Sequence, residues 1–305
     1  MPGAIVVLVV AYGVPDLLDR CLGALGGALP VTVVDNSSEA AVGAVTARHG
    51  ATYVDAGSNL GFAAGVNLGL SLRSQTRSDV LLLNPDATIA PEGVTELHTF
   101  LHARPDLAAV APLQVDPSDG SPARVAWPFP TPSGAWVEAV GLGGLRRRHD
   151  FLIGSVLLLR AAALDEVGRF DERFFLYAEE TDWQKRARDL GWKVARCPSV
   201  TATHVGAGTG GDTTERDAHF HASLERYLRK HHGTSGWWVY RWGTMAGAIA
   251  RMLVVPGERG RQAAARVRLY WTGPCRVEAR LHRPGTAVRP PDGGIDRAVP
   301  AGGPP

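Results

Sequence analysis

Cysteine is scarce in this 305-residue chain, occurring only at Cys21, Cys197 and Cys275. Thiols so few and so scattered build neither a disulfide framework nor a paired-cysteine metal knuckle, and they fit a reducing compartment. Lysine is as rare, at Lys185, Lys193 and Lys230 among 32 basic residues, and 30 acidic residues leave a formal charge of +2. So balanced a charge gives no electrostatic reason for a nucleic-acid partner. No uninterrupted apolar run reaches the roughly 18 residues of a spanning helix. The first apolar run starts at Ala4 with no basic leader and no small-residue cleavage site, so it reads as a core strand and not as a signal peptide. What is present is 45% apolar and 20% charged residues, the balance of a soluble globular protein with one sizeable core.

Four short apolar runs, "AIVVLVVAY", "VTVVDN", "ATYVDA" and "DVLLLN", are separated by stretches of helical spacing such as "PDLLDRCLGALGG" and "GFAAGVNLGLSLR". Apolar strands alternating with helices predict an α/β half-domain over the first 112 residues, its parallel sheet covered on both faces. Ligands of such open sheets bind beyond the carboxyl ends of the strands, where Tyr12, Asp35, Asn36 and Asp86 would fall. From Leu113 to Asp150 the pattern gives way to a Pro-, Gly- and Ser-rich insert, expected to be a functional or disordered loop. Next come a strand in "FLIGSVLLLR", a helix "AAALDEVG" stopping at Gly168, and a helix opened by the acidic cluster Glu179 to Asp182. Two strands, "WKVAR" and "VTATH", lead to His204, and the helix "ERDAHFHASLERYLRKHHG" follows. The region Gly236 to Tyr270 mixes tryptophans and arginines with apolar residues, which suits either an interfacial helix on a membrane or an ordinary helix packed on the domain. The expected organisation is a domain over 1–232, a helical extension over 233–277 and a disordered tail over 278–305.

Several segments bear chemistry, each with a plainer structural explanation. Asp35 and Asn36 end a strand in "VVDNSS", where they could hydrogen-bond a base and ribose, and the same residues make a good turn and helix cap. Asn59 could cap the helix begun by "NLGFAAGVN", whose small residues would let backbone approach a ligand closely. That segment is not a GxGxxG fingerprint, which counts against a dinucleotide oxidoreductase. Asp86 closes "LLLNPDA", either as a cation ligand or as a strand-end cap. Asp182 and Arg186 are spaced to pair with each other, and His231 and His232 to face a helix C-terminus.

Taken together, "VVDNSS", "NLGFAAGVN", "LLLNPDA", "FDERFFLYAEETDW" and the Thr203-His204 pair resemble glycosyltransferase family 2, the inverting nucleotide-sugar transferases of the GT-A fold, and within it the rhamnosyltransferase type. The resemblance covers residues 4 to 232. It implies a Rossmann-like α/β fold with a mostly parallel sheet, followed here by C-terminal helices. It implies a nucleotide-sugar site at Tyr12, Asp35, Asn36, Asn59, Gly61, Asn67, Asn84 and Asp86, with Mg²⁺ or Mn²⁺ on Asp86 and His204. The family's catalytic Glu-Asp pair falls on Glu179 and Glu180, so Glu180 stands where an Asp is usual and is the expected base, with Glu179 as its alternative. One extra methylene there matters, because a misplacement of about 1 Å can be costly in rate.

By the same resemblance the donor is dTDP-L-rhamnose, with UDP-sugars open, and the acceptor is a polyprenyl-diphosphate-linked glycan of cell-wall assembly. Arg146, Arg147 and Arg148 are candidates for its diphosphate or a solvated loop. Such an acceptor implies a cytoplasmic enzyme with peripheral contact to the cell membrane's inner face. A catalytically silent nucleotide-binding scaffold is the rival that the Glu180 replacement keeps open. A nucleotidyltransferase would need a basic glycine-rich loop after the first strand, which "AYGVPDLLDR" lacks.

Overall fold

Successive side chains of a strand point to opposite faces, and in Val7 to Val10 both faces find an apolar partner. Val7 and Val9 join Leu18, Val42 and Leu97 in one core, while Leu8 and Val10 join Ala63, Leu164 and Trp183 in another. The computed structural model, which describes residues 4–72, 78–145, 149–206 and 213–281, thus places a two-faced sheet at the centre. Its first half is β1 (Ile5–Ala11), β2 (Val31–Asp35), β3 (Thr52–Asp55) and β4 (Asp79–Leu83), all parallel in the order β3-β2-β1-β4. The expected α/β half-domain is therefore present. β3 is largely exposed, because it is the edge strand. Helices α1 (Pro15–Leu25), α2 (Ala40–Arg48), α3 (Phe62–Ser71) and α4 (Pro91–His102) cover the faces.

The sheet continues through β10 (Val156–Leu159), β6 (Leu107–Val115), β11 (Lys193–His204) and β5 (Ala87–Thr88). β10 runs antiparallel to β4 and β6, while β6 and β11 are parallel. The stretch "FLIGSVLLLR" is not one strand. It breaks into β9 (Phe151–Leu152), paired with β8 (Ala126–Trp127) in a small separate sheet, and β10 in the main one. Conversely, "WKVAR" and "VTATH" form the single strand β11, with an irregular register between Cys197 and Thr201 around Pro198, which has no N–H for the ladder.

The insert after Leu113 is better ordered than its composition suggests. It holds β7 (Pro122–Ala123), paired with β6, and α5 (Gly134–Ala139). α5 lies on the second limb of α8 (Thr213–Val254), a helix broken at Gly233 where φ is 69°. A Cβ on Gly247 would sit 2.9 Å from Ala139 Cα, so the glycine lets the two helices touch. α6 (Ala161–Val167) and α7 (Glu179–Asp189) pack beside the sheet; α9 (Glu258–Thr272) and α10 (Pro274–Leu281) pack on α8.

A third core of Phe129, Phe174, Tyr227, Trp237 and Tyr270 joins these helices to the domain. α10 runs four residues beyond the expected end of order at 277, and its Glu278 is buried between His219 and Arg226. Residues 282–305 lie outside the described residues. Among the described residues, no helix is long and apolar enough to cross a membrane.

Candidate active site

The carboxyl ends of β1, β2 and β4 open into a cleft of about 260 Å³. Tyr12, Asn36, Asn59, Gly61 and Asn84 line it, as expected, and Phe175, Arg216 and His219 face them from the second half. Asn36 is 3% exposed and donates through Nδ2 to the Gly61 carbonyl at 3.0 Å, which leaves its buried Oδ1 without a partner. Asn59 Oδ1 accepts from the Gly61 amide at 3.1 Å, holding the turn that begins α3. Gly61 has φ +81°, and a Cβ there would lie 2.4 Å from the Phe175 carbonyl. This close approach brings the Phe62 amide to that same carbonyl at 2.7 Å, stitching α3 to the segment before α7.

Two expected donor-site residues are otherwise engaged. Asp35 is fully buried, with Oδ1 accepting from the Ser37 amide and hydroxyl at 2.8 and 2.6 Å and Oδ2 from the Glu39 amide and Tyr53 hydroxyl at 3.1 and 2.9 Å. Its carboxylate therefore serves its own turn, the local use that Asp-Asn-Ser-Ser favours. Asn67 points away from the cleft, donating to the Phe170 carbonyl and Glu172 Oε1, both at 2.9 Å, and accepting from the Phe170 amide at 3.0 Å. The glycines within α3 serve packing, since a Cβ on Gly65 would meet Val10 Cγ1 at 2.8 Å and one on Gly69 would meet Leu8 Cδ1 at 2.2 Å.

Asp86 and His204 come together because β5 pairs with β11, setting His204 opposite Ala87. His204 Nε2 lies 3.3 Å from Asp86 Oδ1, yet that buried oxygen has no hydrogen-bond partner. An orphaned carboxylate oxygen beside an imidazole is a donor pair that a divalent cation fits.

The acidic cluster divides by direction. Asp182 is fully buried and turned away, with Arg186 Nε, His231 Nε2 and Lys230 Nζ at 2.9, 2.8 and 2.7 Å. Burial alone would raise this carboxyl, but the three hydrogen bonds outweigh it and hold it below its usual range. The expected Asp182–Arg186 pair is thus present, whereas His231 belongs to this network and not to the helix end, and His232 Nε2 meets the Pro130 carbonyl at 3.2 Å.

Glu179 and Glu180 open α7, and each has a buried Oε2 without a partner. Burial, followed by the charge of Glu180, pushes Glu179 well above the ordinary carboxyl range. Burial pushes Glu180 up to about 7, against the opposing pull of the amides of Glu180, Thr181 and Gly154.

Glu180 lines a second cavity, of about 470 Å³, with Trp127, Tyr177, Phe220, Tyr240, Arg251 and Arg266. Tyr177 and Phe220 also line a small hollow with Arg216, and Arg216 lines the first cleft, so this hollow lies between the cleft and the cavity. Arg216 Nε reaches the Tyr177 hydroxyl at 3.2 Å and lies within the field of Asp86.

Tyr177 and Ala178 both adopt left-handed backbone, at φ 70° and 64°, where side chains rarely sit. Strain of this kind costs on the order of 1–3 kcal/mol per residue and clusters at working sites. Arg216, Tyr177, Phe220, Arg251 and Arg266 have no distinguishing signal in the sequence; "LYAEE" carries no mark of positive φ, and the arginines read equally well as surface. Arg146, Arg147 and Arg148 lie outside the described residues.

The chain has solved structural counterparts. A mannosyltransferase from Pyrobaculum calidifontis, in complex with GDP-Man and Mn²⁺, superposes with a TM-score of 0.57 at 15% identity, covering 92% of this chain and 84% of that one. Glucosyl-3-phosphoglycerate synthase from Mycobacterium tuberculosis, with Mn²⁺ and UDP, gives 0.53 at 15% identity over 74% of this chain and 78% of that one. No protein-family model matches the chain. In sequence it is 28% identical to the low-salt glycan biosynthesis hexosyltransferase Agl10 of Haloferax volcanii over 65% of this chain, a match spanning 66% of that protein. It is 30% identical to the N-acetylglucosaminyl-diphospho-decaprenol L-rhamnosyltransferase of Mycobacterium tuberculosis over 285 residues, 82% of this chain and 92% of that one. With that identity and coverage on a GT-A fold, the chain belongs to the glycosyltransferases of family 2 and is an enzyme of that class.

Proposed function

We propose that this enzyme transfers L-rhamnose from dTDP-L-rhamnose to a sugar hydroxyl of a polyprenyl-diphosphate-linked glycan, with inversion at the anomeric carbon. The observation that carries this reading is Glu180: a buried carboxyl with an unpartnered Oε2, pushed up by burial, on the wall of a cavity near the strand-end cleft. The mycobacterial relative's name specifies rhamnose and a diphospho-decaprenol acceptor, which favours this pair of substrates over others. The cleft at Tyr12, Asn36, Asn59 and Asn84 takes the nucleotide, and the cavity beside Glu180 takes the acceptor, with Arg251 and Arg266 available to its diphosphate.

Glu180 accepts the proton of the acceptor hydroxyl as its oxygen bonds to the anomeric carbon, and the bond from that carbon to the diphosphate oxygen breaks. General-base help of this kind is worth about 10²–10⁴-fold. Asp86 and His204 are the residues that would hold Mg²⁺ or Mn²⁺, which when bound would neutralise charge on the departing diphosphate. Arg216, between the two spaces, adds a fixed positive charge on the same side.

Beside the acceptor cavity, the turn after α5 exposes Val140 and Leu142, and α8 exposes Trp242, Leu253 and Val254, the last two at 76% and 78%. Arg259 and Arg268 stand exposed on α9. Apolar residues with neighbouring arginines suit the surface of an anionic membrane, where a polyprenyl carrier resides. The test is mass spectrometry of products from a panel of nucleotide sugars and a short-chain prenyl-diphosphate acceptor. The reading expects a rhamnosyl product that is lost in Glu180→Gln; transfer from a UDP-sugar alone would replace the donor, and no transfer from any donor would remove the reading.

A further inference from the structure

A second group of ligating side chains lies at the opposite end of β4 from Asp86. Asp79, the first residue of β4, is 2% exposed, and its Oδ1 accepts from the Ala161 amide at 2.7 Å, which fixes the plane of the carboxylate. Its Oδ2 faces two imidazoles of α4, His102 Nε2 at 2.6 Å and His98 Nε2 at 3.1 Å. His98 and His102 are one helical turn apart on the same face, with ring centroids 4.4 Å apart. His102 makes a hydrogen bond to Asp79, but His98, only 7% exposed, has an Nε2 with no hydrogen-bond partner despite its position. Asp79 Oδ2 has lone pairs enough for both rings, yet His98 Nε2 at 3.1 Å makes no hydrogen bond with it, which leaves this buried ring nitrogen for another partner.

We infer that Asp79, His98 and His102 form a binding site for a late first-row divalent cation, Zn²⁺ above all, separate from the donor cleft. The three donor atoms lie within 4.8 Å of one another. Four-coordinate Zn²⁺, with ligands about 2.0–2.2 Å away, spaces them by about 3.3 Å, so admitting the ion asks the imidazoles to move off Asp79 Oδ2, from 2.6 and 3.1 Å, by small rotamer shifts. Two histidines at i and i+4 with a carboxylate form an N₂O donor set that suits Zn²⁺, whereas Mg²⁺ prefers oxygen and near-octahedral water. Water can take the fourth position from the side of His102, whose side chain is 30% exposed.

Arg160 is a positive charge close enough to interact with Asp79. Its guanidinium is committed to the carbonyls of Leu101, Arg104 and Leu107, so it weakens the site without filling it. The site would clip α4 to β4 and to the start of α6, on the order of 20 Å from the strand-end cleft by strand rise. Its role is thus structural, and sugar transfer does not pass through it.

Untagged full-length protein, stripped of metal by a chelator, is titrated with Zn²⁺ by calorimetry and with Co²⁺ by visible absorption. One Zn²⁺ per chain is expected, with the intense bands of four-coordinate Co²⁺, and both persist in Asp86→Asn. In His102→Gln, a partly exposed position where the fold is expected to survive, the Kd rises at least tenfold and Zn²⁺ no longer raises the thermal midpoint. Binding that disappears in Asp86→Asn, or that is unchanged in His102→Gln, overturns the inference, as does the absence of any Zn²⁺ binding to the wild type.

Discussion

At the scale of single residues, the enzyme's most consequential feature is a carboxyl group held near neutrality by burial. Glu180 must lose its proton to act as a base, so kcat is expected to rise with pH through about 7 and level off above it, a limb absent in Glu180→Gln. The same elevation has a cost in stability. Because the folded-state pKa lies above the unfolded one, about 4.3 for Glu, this group destabilises the fold progressively as pH rises from there to about 7. Thermal melts should accordingly show Glu180→Gln more stable than wild type at pH 8 and no different near pH 4. Glu180→Asp restores the residue usual in the family on a backbone fitted to the longer side chain, and kcat is expected to fall roughly 10- to 100-fold. Asp182 behaves oppositely: its depressed pKa contributes stability above the unfolded value of about 3.9, lost as pH falls through the lower folded value. Asp182→Asn removes the charge that Arg186, Lys230 and His231 share, although Arg186 keeps the Val167 and Arg169 carbonyls and Lys230 keeps Asp171, and urea unfolding should show a loss of about 1–3 kcal/mol.

At the scale of elements, β1, β2 and β4 are legible in the sequence because buried parallel strands read as unbroken apolar runs, and their carboxyl ends point to the cleft. Asp86 and His204 follow from the resemblance to the family's metal site, but their meeting depends on the two-residue β5, too short to leave a sequence signal. Asp35 and Asn67 are harder to place from sequence for a related reason: a polar side chain's partner can lie in a distant segment, as Tyr53 does for Asp35 and Phe170 for Asn67. Gly61 admits Phe175 where the sequence suggests a ligand, which makes it a test of how α3 is held. Gly61→Ala combines an unfavourable φ with a clash against backbone, and should cost about 1–3 kcal/mol in chemical denaturation while weakening nucleotide binding.

At the scale of the whole molecule, the third core makes the helical extension a wall of the cavity that Glu180 lines. Trp237 and Tyr270 are fully buried, while the same helices line the cavity with Tyr240, Arg251 and Arg266. The sequence leaves packed and interfacial readings of this region open, and the helices pack on one face while exposing large apolar side chains on the other. If the exposed face meets lipid, Leu253→Asp with Val254→Asp should abolish sedimentation with anionic vesicles and leave the melting temperature unchanged. The unity of cleft, cavity and base is tested most directly by the initial rate of sugar transfer to a prenyl-diphosphate-linked acceptor, compared between wild type and Glu180→Gln at pH 8. A fall of about 10²–10⁴-fold with KM for the donor nearly unchanged is the expected result. A Gln variant that transfers sugar within a few-fold of the wild-type rate would contradict the account.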